Sequence, residues 1–528
     1  MVMNNRNNRV FLAVSALLVL WVSVESIFLI VYRETWFDEL VYLFKGYAVV
    51  TGVFTPFRDL ILEYPPLAFF VHGIIQTIFG PSIIAGRIVS SVFFALLLLL
   101  TFLIGKNMGG RWAGLVAVAL IMSHALLVAN YVSAVPYALT MGLLLGALTA
   151  EFSSRGRSAK IWWAALLMAA MALTRINMLP AVMIYGFYLF WIRVSVRHQV
   201  LFWSIFFVSV SLGYLPIILP DPALAVSSIL HPFARVGPLT ALPASAKVGS
   251  VDVENFLEIL ASFFREYAAT LAFFCAIVLA IVGSGRWALH DFLAREREWI
   301  LLVAMGVGLL AAHYFYWRIT GSIQYANFFM PLIALAAVVG AVRYVEEEKI
   351  AAGLVIAVIG VNLLANAFPS GIISRPSEET DLERVRRGAA LVAARTAPGE
   401  RIIAFDNSIF HVFAAGRFTE PALMNRDFLY VGDINSNTAR RLRMYNLPLL
   451  LKWLSEADVV LLHEERWRDM FRRPFFKEES HDSEKNITEL SSYFDEHYQR
   501  VGEAFNVYPR KYTEGNDGGT LVLYRRKK

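Results

Sequence analysis

Apolar residues run along this chain in blocks of about twenty, far longer than a soluble core helix needs. Examples are "VFLAVSALLVLWVSVESIFLIVY" (residues 10–32) and "SSVFFALLLLLTFLIG" (90–105). A helix of that length crosses the roughly 30 Å hydrocarbon layer of a bilayer with every backbone polar group satisfied internally. Blocks of this kind predict spans near 10–32, 81–105, 112–129, 134–151, 160–174, 178–194, 199–219, 267–284, 298–317, 325–342 and 349–368.

One further segment, "PPLAFFVHGIIQTIFG" (65–80), is ambiguous, since as a helix it is only about 24 Å long. Charge decides its status. With Arg6 and Arg9 cytoplasmic, and 65–80 lying on the outer face as an interfacial helix, the later basic loops all fall inside. These are Lys106 and Arg111, then Arg155, Arg157 and Lys160, then Arg193 and Arg197, then Arg286, Arg295 and Arg297, then Arg343 and Lys349. If 65–80 crosses, every one of them lands outside. The expected architecture is therefore a polytopic α-helical membrane domain over 1–368 with about eleven spans. It has an outer loop with interfacial helices at 33–80 and a long outer loop at 220–266.

From Pro369 the pattern changes. Helical periods in "DLERVRRGAALVAAR" and "LPLLLKWLSEA" alternate with short β-like runs in "RIIAFD", "ADVVLLHEE" and "GTLVLYRR". Residues 369–528 thus read as a small soluble α/β domain. The odd number of spans puts it outside the cytoplasm, in a multi-pass protein of the cell (plasma) membrane whose N-terminus is cytoplasmic.

Composition agrees. Of 528 residues, 57% are hydrophobic and 17% charged, and mean hydropathy is +0.55, which excludes a large soluble enzyme. The net charge of +6 is spread over loops, as orientation requires, rather than gathered for nucleic acid. A single cysteine, Cys275, rules out a disulfide framework. The first apolar block lacks a small-residue cleavage site before "WFDE" and is read as a retained span.

Candidate chemistry centres on "ETWFDELVYLFKG" (34–46), where Asp38 and Glu39 follow the first span. Acids in outer loops are commonly just solvated, and Asp59 fits that role. Asp38 differs, because Trp36, Phe37, Leu40, Val41 and Tyr42 surround it on an amphipathic segment. Partial burial and an adjacent like charge both raise a carboxyl pKa, and that suits a general base. Arg87, Arg175 and Arg318 lie at the outer ends of spans. They can be interfacial anchors, or they can clamp a phosphate. A glycosyl phosphate leaves readily once its charge is neutralised, while a base on the opposite face of the anomeric carbon deprotonates an acceptor hydroxyl. No nucleotide loop of the GxxxxGK[ST] type is present. His72, His124 and His313 show no metal-ligand spacing and read as packed histidines. The sequon at Asn486 is a weak motif on the expected outer side.

The stretch "WFDELVY…EYPPLAFFVHGIIQTIFGPSIIAGRIVSSVF" resembles the N-terminal region of polyprenyl-phosphate-sugar glycosyltransferases of the GT-C fold. These include the dolichyl-phosphate-mannose protein mannosyltransferases (family 39-like) and the lipid A aminoarabinose transferases. The resemblance lies in the acid pair after the first span, the Pro-Pro-Leu opening of an interfacial helix, the Phe-Gly that closes it, and an Arg before the next span. "ALTRINMLPAV" and "QYANFFMPLIALAAV" are similar to later family segments, and the likeness is clear over 30–110 and looser to 345.

The resemblance implies Asp38 as catalytic acid with Glu39 as its partner. By position Arg87, Arg175 and Arg318 are candidates for the donor phosphate; Gln324 and Tyr325 can touch its phosphate or sugar, although aromatic belts put Tyr at outer ends anyway. Tyr64 stands where relatives commonly carry Lys or His, with Glu63 before it as a candidate second acid. "VANYVSAVPYAL" carries no acid where relatives often have one. No resident cofactor is called for, and a divalent cation beside Asp38 stays open.

The implied reaction moves a sugar, with mannose the hexose considered, from a dolichyl or undecaprenyl monophosphate to a protein, glycolipid or glycan acceptor. The alternatives are an aminoarabinose- or arabinose-type transferase and, in another class, a lipid or solute transporter. The transporter predicts two related halves with broken helices, which the sequence does not show. The topology yields a direct test. A reporter fused after Lys528 is expected to be active only outside the cytoplasm, and cytoplasmic activity would show that 65–80 crosses or that the span count is off by one.

Overall fold

A computed structural model describes residues 5–153 (apart from 61 and 63), 156–222, 253–283, 295–320, 323–344, 356–363, 379–424, 445–468 (apart from 466), 483–509 and 519–528, together with 292, 353, 436 and 437. The chain divides into two compact units. The first takes in residues up to 30, 90–213 and the described residues between 253 and 363. The second takes in 31–89, 214–222 and the described residues from 379 onward. Residues 33–80, the expected outer loop, group with the described C-terminal residues.

The chain opens with α1 (Asn5–Tyr32), whose apolar run contains neither Gly nor Pro to break it. Leu12, Leu17, Leu20 and Ile27 stay largely exposed, as lipid-facing residues do. α4 (Ile83–Met122) joins two of the expected spans and breaks at Gly110, where φ is +86°. Side-chain-bearing residues rarely adopt that conformation, and glycine adopts it freely. A second break at Ser123–His124 divides the expected span 112–129. α5 (Ala125–Val132) and α6 (Tyr137–Glu151) follow, bent by 100° around Pro136. Next come α7 (Arg157–Ala172), α8 (Leu179–Trp191), α9 (Val196–Ile218), α10 (Val253–Gly283), α11 (Arg297–Thr320) and α12 (Met330–Tyr344).

Among the described residues α1, α4 and α9 are long and apolar enough to cross a bilayer, and the bent α5–α6 pair adds a fourth. The protein is thus a membrane protein, but the helices do not match the eleven expected spans one for one. α6, α7, α8 and α12 have 13 to 16 residues, about 20–24 Å, so a break or tilt at either end changes the count. The expected span 349–368 and the loop 220–266 lie largely outside the described residues.

In the second unit, α2 (Phe37–Val50) and α3 (Pro66–Phe79) pack together. α3 has a proline in its first turn and Gly80 at its end with φ +80°. The two helices meet backbone to backbone. A Cβ added at Gly73 would lie 2.2 Å from the Gly46 carbonyl oxygen, and one at Gly46 would lie 2.3 Å from that of Phe69. Glycine at both positions is what permits this approach, as in other small-residue helix crossings.

The C-terminal region is α/β, as its pattern predicts. α13 (Asp381–Arg395) starts with a capping box in which Thr380 accepts from the Glu383 N–H and Glu383 accepts from that of Thr380. After the short α14 (Ile409–Ala414), α15 (Leu447–Glu456) and α16 (Ser483–His497) pack on a four-stranded sheet. The strands are β1 (Ile402–Ala404), β2 (Val459–His463), β3 (Tyr498–Phe505) and β4 (Thr520–Arg526), in the order β1-β2-β4-β3. β1 and β2 run parallel, and the other two pairings are antiparallel. β3 escaped the sequence reading because it is an edge strand with mostly exposed side chains. Ile403, Leu450, Leu454, Val460 and Phe494 form the centre of this region's core.

The α2–α3 crossing carries a direct consequence. Gly73→Ala is expected to destabilise the protein by about 1–3 kcal/mol through overpacking, read by thermal unfolding in detergent. A variant as stable as the parent would show that the helices do not cross there.

Candidate functional site

The site builds from the start of α2. Trp36 is extended (φ −105°, ψ 145°) and the helix begins after it. Three positions into the helix cycle, Glu39 turns back and its carboxylate accepts from the Trp36 N–H at 3.2 Å. The same carboxylate meets the Arg87 guanidinium side on. Nε donates to Oε1 and Nη2 to Oε2, both at 2.8 Å. Arg87 Nη1 also donates to the Arg33 carbonyl at 3.0 Å and Nη2 to that of Glu34 at 3.1 Å. Neither side chain of the pair is exposed to solvent.

Arg87 was expected to clamp donor phosphate, and Glu39 to share the catalytic work. A planar fork that already spends its donors on a carboxylate and two carbonyls is built to hold the backbone of residues 33–39. The sequence could not show this, because the partners stand 48 positions apart.

Asp38 differs from its neighbour in setting. Consecutive helical residues point about 100° apart, so with Glu39 turned inward, Asp38 remains half-buried in the first turn of α2. Residues around it belong to the same unit. Arg33 is buried with its guanidinium 4.2 Å from the Trp36 ring centroid. The Thr35 N–H donates to Asp381 at 2.8 Å, tying this turn to the start of α13. Phe37 meets Phe410 edge-on, and Phe44 and Tyr47 both stack on Phe418. Tyr64 is half-exposed and stacks on Tyr42 at 5.5 Å. His72 of α3 lies near the Tyr42 ring. Burial holds its pKa down to about 4, against the pull of Glu39, so the ring is neutral at physiological pH. Glu63 lies outside the described residues.

The other expected donor contacts belong to the first unit. Arg175 is buried, with its guanidinium 5.2 Å from the ring centroid of Tyr137 and 6.0 Å from that of Phe328. The Tyr137 hydroxyl donates to the Gln324 side-chain carbonyl. Tyr325 lies beside His313, whose ring also stacks on Phe328. Arg318 lies on α11, and its side chain is outside the described set. The structure thus brings Arg175, Gln324 and Tyr325 into one aromatic-lined cluster through Tyr137 and Phe328. The sequence reading missed Tyr137, Arg33 and Asp381. Tyr137 was visible only as the aromatic opening α6, and Asp381 only as an ordinary acid in a helix's first turn.

Among the described residues no three His, Cys, Asp or Glu side chains gather as a metal cage.

No family model matches the sequence, and no curated protein is similar to it in sequence. Its structure is similar to solved membrane glycosyltransferases. The apo oligosaccharyltransferase of Archaeoglobus fulgidus superposes with a TM-score of 0.54 at 12% identity, over 87% of this chain and 71% of that one. The same organism's AglB, in complex with an inhibitory peptide and a dolichol-phosphate, gives a TM-score of 0.54 at 11% identity, over 99% and 75%. ArnT of Cupriavidus metallidurans bound to undecaprenyl phosphate covers 97% of both chains at 11% identity, with a TM-score of 0.43. The chain has the GT-C fold, as the first-loop motif implied.

The buried pair makes a quantitative prediction. Arg87→Ala is expected to cost about 3–5 kcal/mol by leaving Glu39 buried and uncompensated. Glu39→Ala added to it should cost far less than Glu39→Ala alone, read as a coupling energy in a double-mutant cycle. Strictly additive losses would show that the two side chains do not act as a pair.

Proposed function

We propose that this chain is an integral-membrane inverting glycosyltransferase. It takes a sugar from a polyprenyl monophosphate and delivers it to an acceptor hydroxyl outside the cytoplasm. The observation that carries the reading is the division of labour between the adjacent acids. Glu39 is buried against Arg87, while Asp38 beside it is only half-buried in the first turn of α2.

In the proposed step Asp38 accepts the proton of the acceptor hydroxyl. The acceptor oxygen forms a bond to the anomeric carbon as the bond from that carbon to the phosphate oxygen breaks. The lipid phosphate departs with the electron pair, and the sugar inverts. Cations lower the barrier by meeting the charge that develops on the phosphate. Arg175 is the proposed cation, with Gln324, Tyr325, Tyr64 and Arg318 as further donor contacts. Arg87 is proposed to act through Glu39, as a positioning residue. Support for a lipid-phosphate donor comes from the fold shared with AglB, which was captured with dolichol-phosphate and a peptide. The C-terminal α/β region is proposed to lie outside the cytoplasm and to present acceptor. Mannose is the proposed sugar, and protein or glycan the proposed acceptor.

The test uses purified protein and radiolabelled polyprenyl-phosphate sugar. Asp38→Asn is expected to lower transfer by about 10²–10⁴-fold while donor binding and thermal stability stay unchanged. Normal turnover by that variant would sink the mechanism.

A further inference from the structure

The first unit holds a second polar site that the transfer chemistry does not use. Tyr137 opens α6 beside Arg175, and Glu151 closes it. At 1.5 Å per residue those ends stand roughly 21 Å apart. At the Glu151 end the start of α7, the end of α8, the start of α11 and the end of α12 surround a cavity of about 510 Å³. Five cations face it: Arg157, Lys160, Arg295, Arg297 and Arg343, against Glu151 and Glu298.

One of the two acids is spent. Glu151 is buried, and its two oxygens accept from Arg157 at 2.5 Å and from the Tyr185 hydroxyl at 2.7 Å. Its backbone carbonyl accepts from Lys160 at 2.7 Å, which aims that ammonium across the turn. Arg343 is steered by the Met108 carbonyl and by Glu296. Arg297 is exposed and has no ion pair among the described residues. Tyr188 and Ile192 complete the wall with apolar surface. Solvated loop cations gain by spreading apart. Here they converge on a hollow large enough for a phosphodiester, with an apolar shelf beside it. Basic pockets between membrane helices are suited to anionic headgroups.

We propose that this cavity binds a phosphate-bearing anion, either the headgroup of an anionic phospholipid or a soluble phosphate ester. The cavity lies at the end of α6 away from the proposed cation Arg175, and the expected charge bias puts its residues on the cytoplasmic side, so the ligand is distinct from the sugar donor. Its role is to anchor the ends of five helices that would otherwise repel one another.

Native mass spectrometry of the full chain from nanodiscs tests this without any transfer assay, so failure of the transferase reading leaves the outcome interpretable. Phosphatidylglycerol is expected to be retained over phosphatidylcholine. Arg297→Gln should weaken retention about fivefold, and Lys160→Gln should weaken it further. Lys106→Gln, a basic residue outside the cavity, should leave it unchanged. Equal retention of both lipids, or equal loss with Lys106→Gln, would overturn the site. Glycerol phosphate or pyrophosphate, added to phosphatidylcholine discs, separates the two sources. A bound soluble anion sensitive to Arg297→Gln supports the phosphate site and assigns it to a free ligand. Retention of phosphatidylglycerol alone assigns it to the lipid.

Discussion

The second unit depends on the buried ion pair between Glu39 and Arg87. Two charges removed from water gain only where their geometry is good and the remaining donors are satisfied. Both conditions hold. The guanidinium meets the carboxylate with two bonds and spends what is left on the carbonyls of residues 33 and 34. The turn that leads from α1 into α2 is thereby held from inside. Asp38 rides on that turn, and its direction is a consequence of where Glu39 must point.

A second constraint acts on the same turn from the C-terminal region. Asp381 takes the Thr35 N–H, and Phe410, Phe413 and Phe418 pack against the aromatic face of α2. The far side of α2 lies against α3 with glycine facing backbone. α2 is thus gripped on several sides, and its first turn has the rigidity that the proposed role of Asp38 requires. This gives the α/β region a structural task in addition to its proposed handling of acceptor.

Much of the fold was legible because it is written in local pattern. The twenty-residue apolar runs announced a membrane protein, and the capping box at Thr380–Glu383 and the alternating runs after residue 400 announced the α/β region. The break between two early spans follows from a glycine that can take φ of +86°. The pattern failed where local signals are weak. β3 carries little alternation because it lies at a sheet edge, and pattern alone does not fix the span count because several helices are shorter than a bilayer is thick.

For the site, the sequence by itself offered the candidates: an acid pair after the first span, and arginines at later helix ends. The tertiary structure decided how those residues divide their roles. It joined Glu39 to Arg87 across 48 positions, tied Thr35 to Asp381 across 346, and set Tyr137 between Arg175 and Gln324. An ionisable group's role follows from what it touches and how deeply it is buried. Both depend on contacts between residues far apart in the chain, which no local pattern encodes.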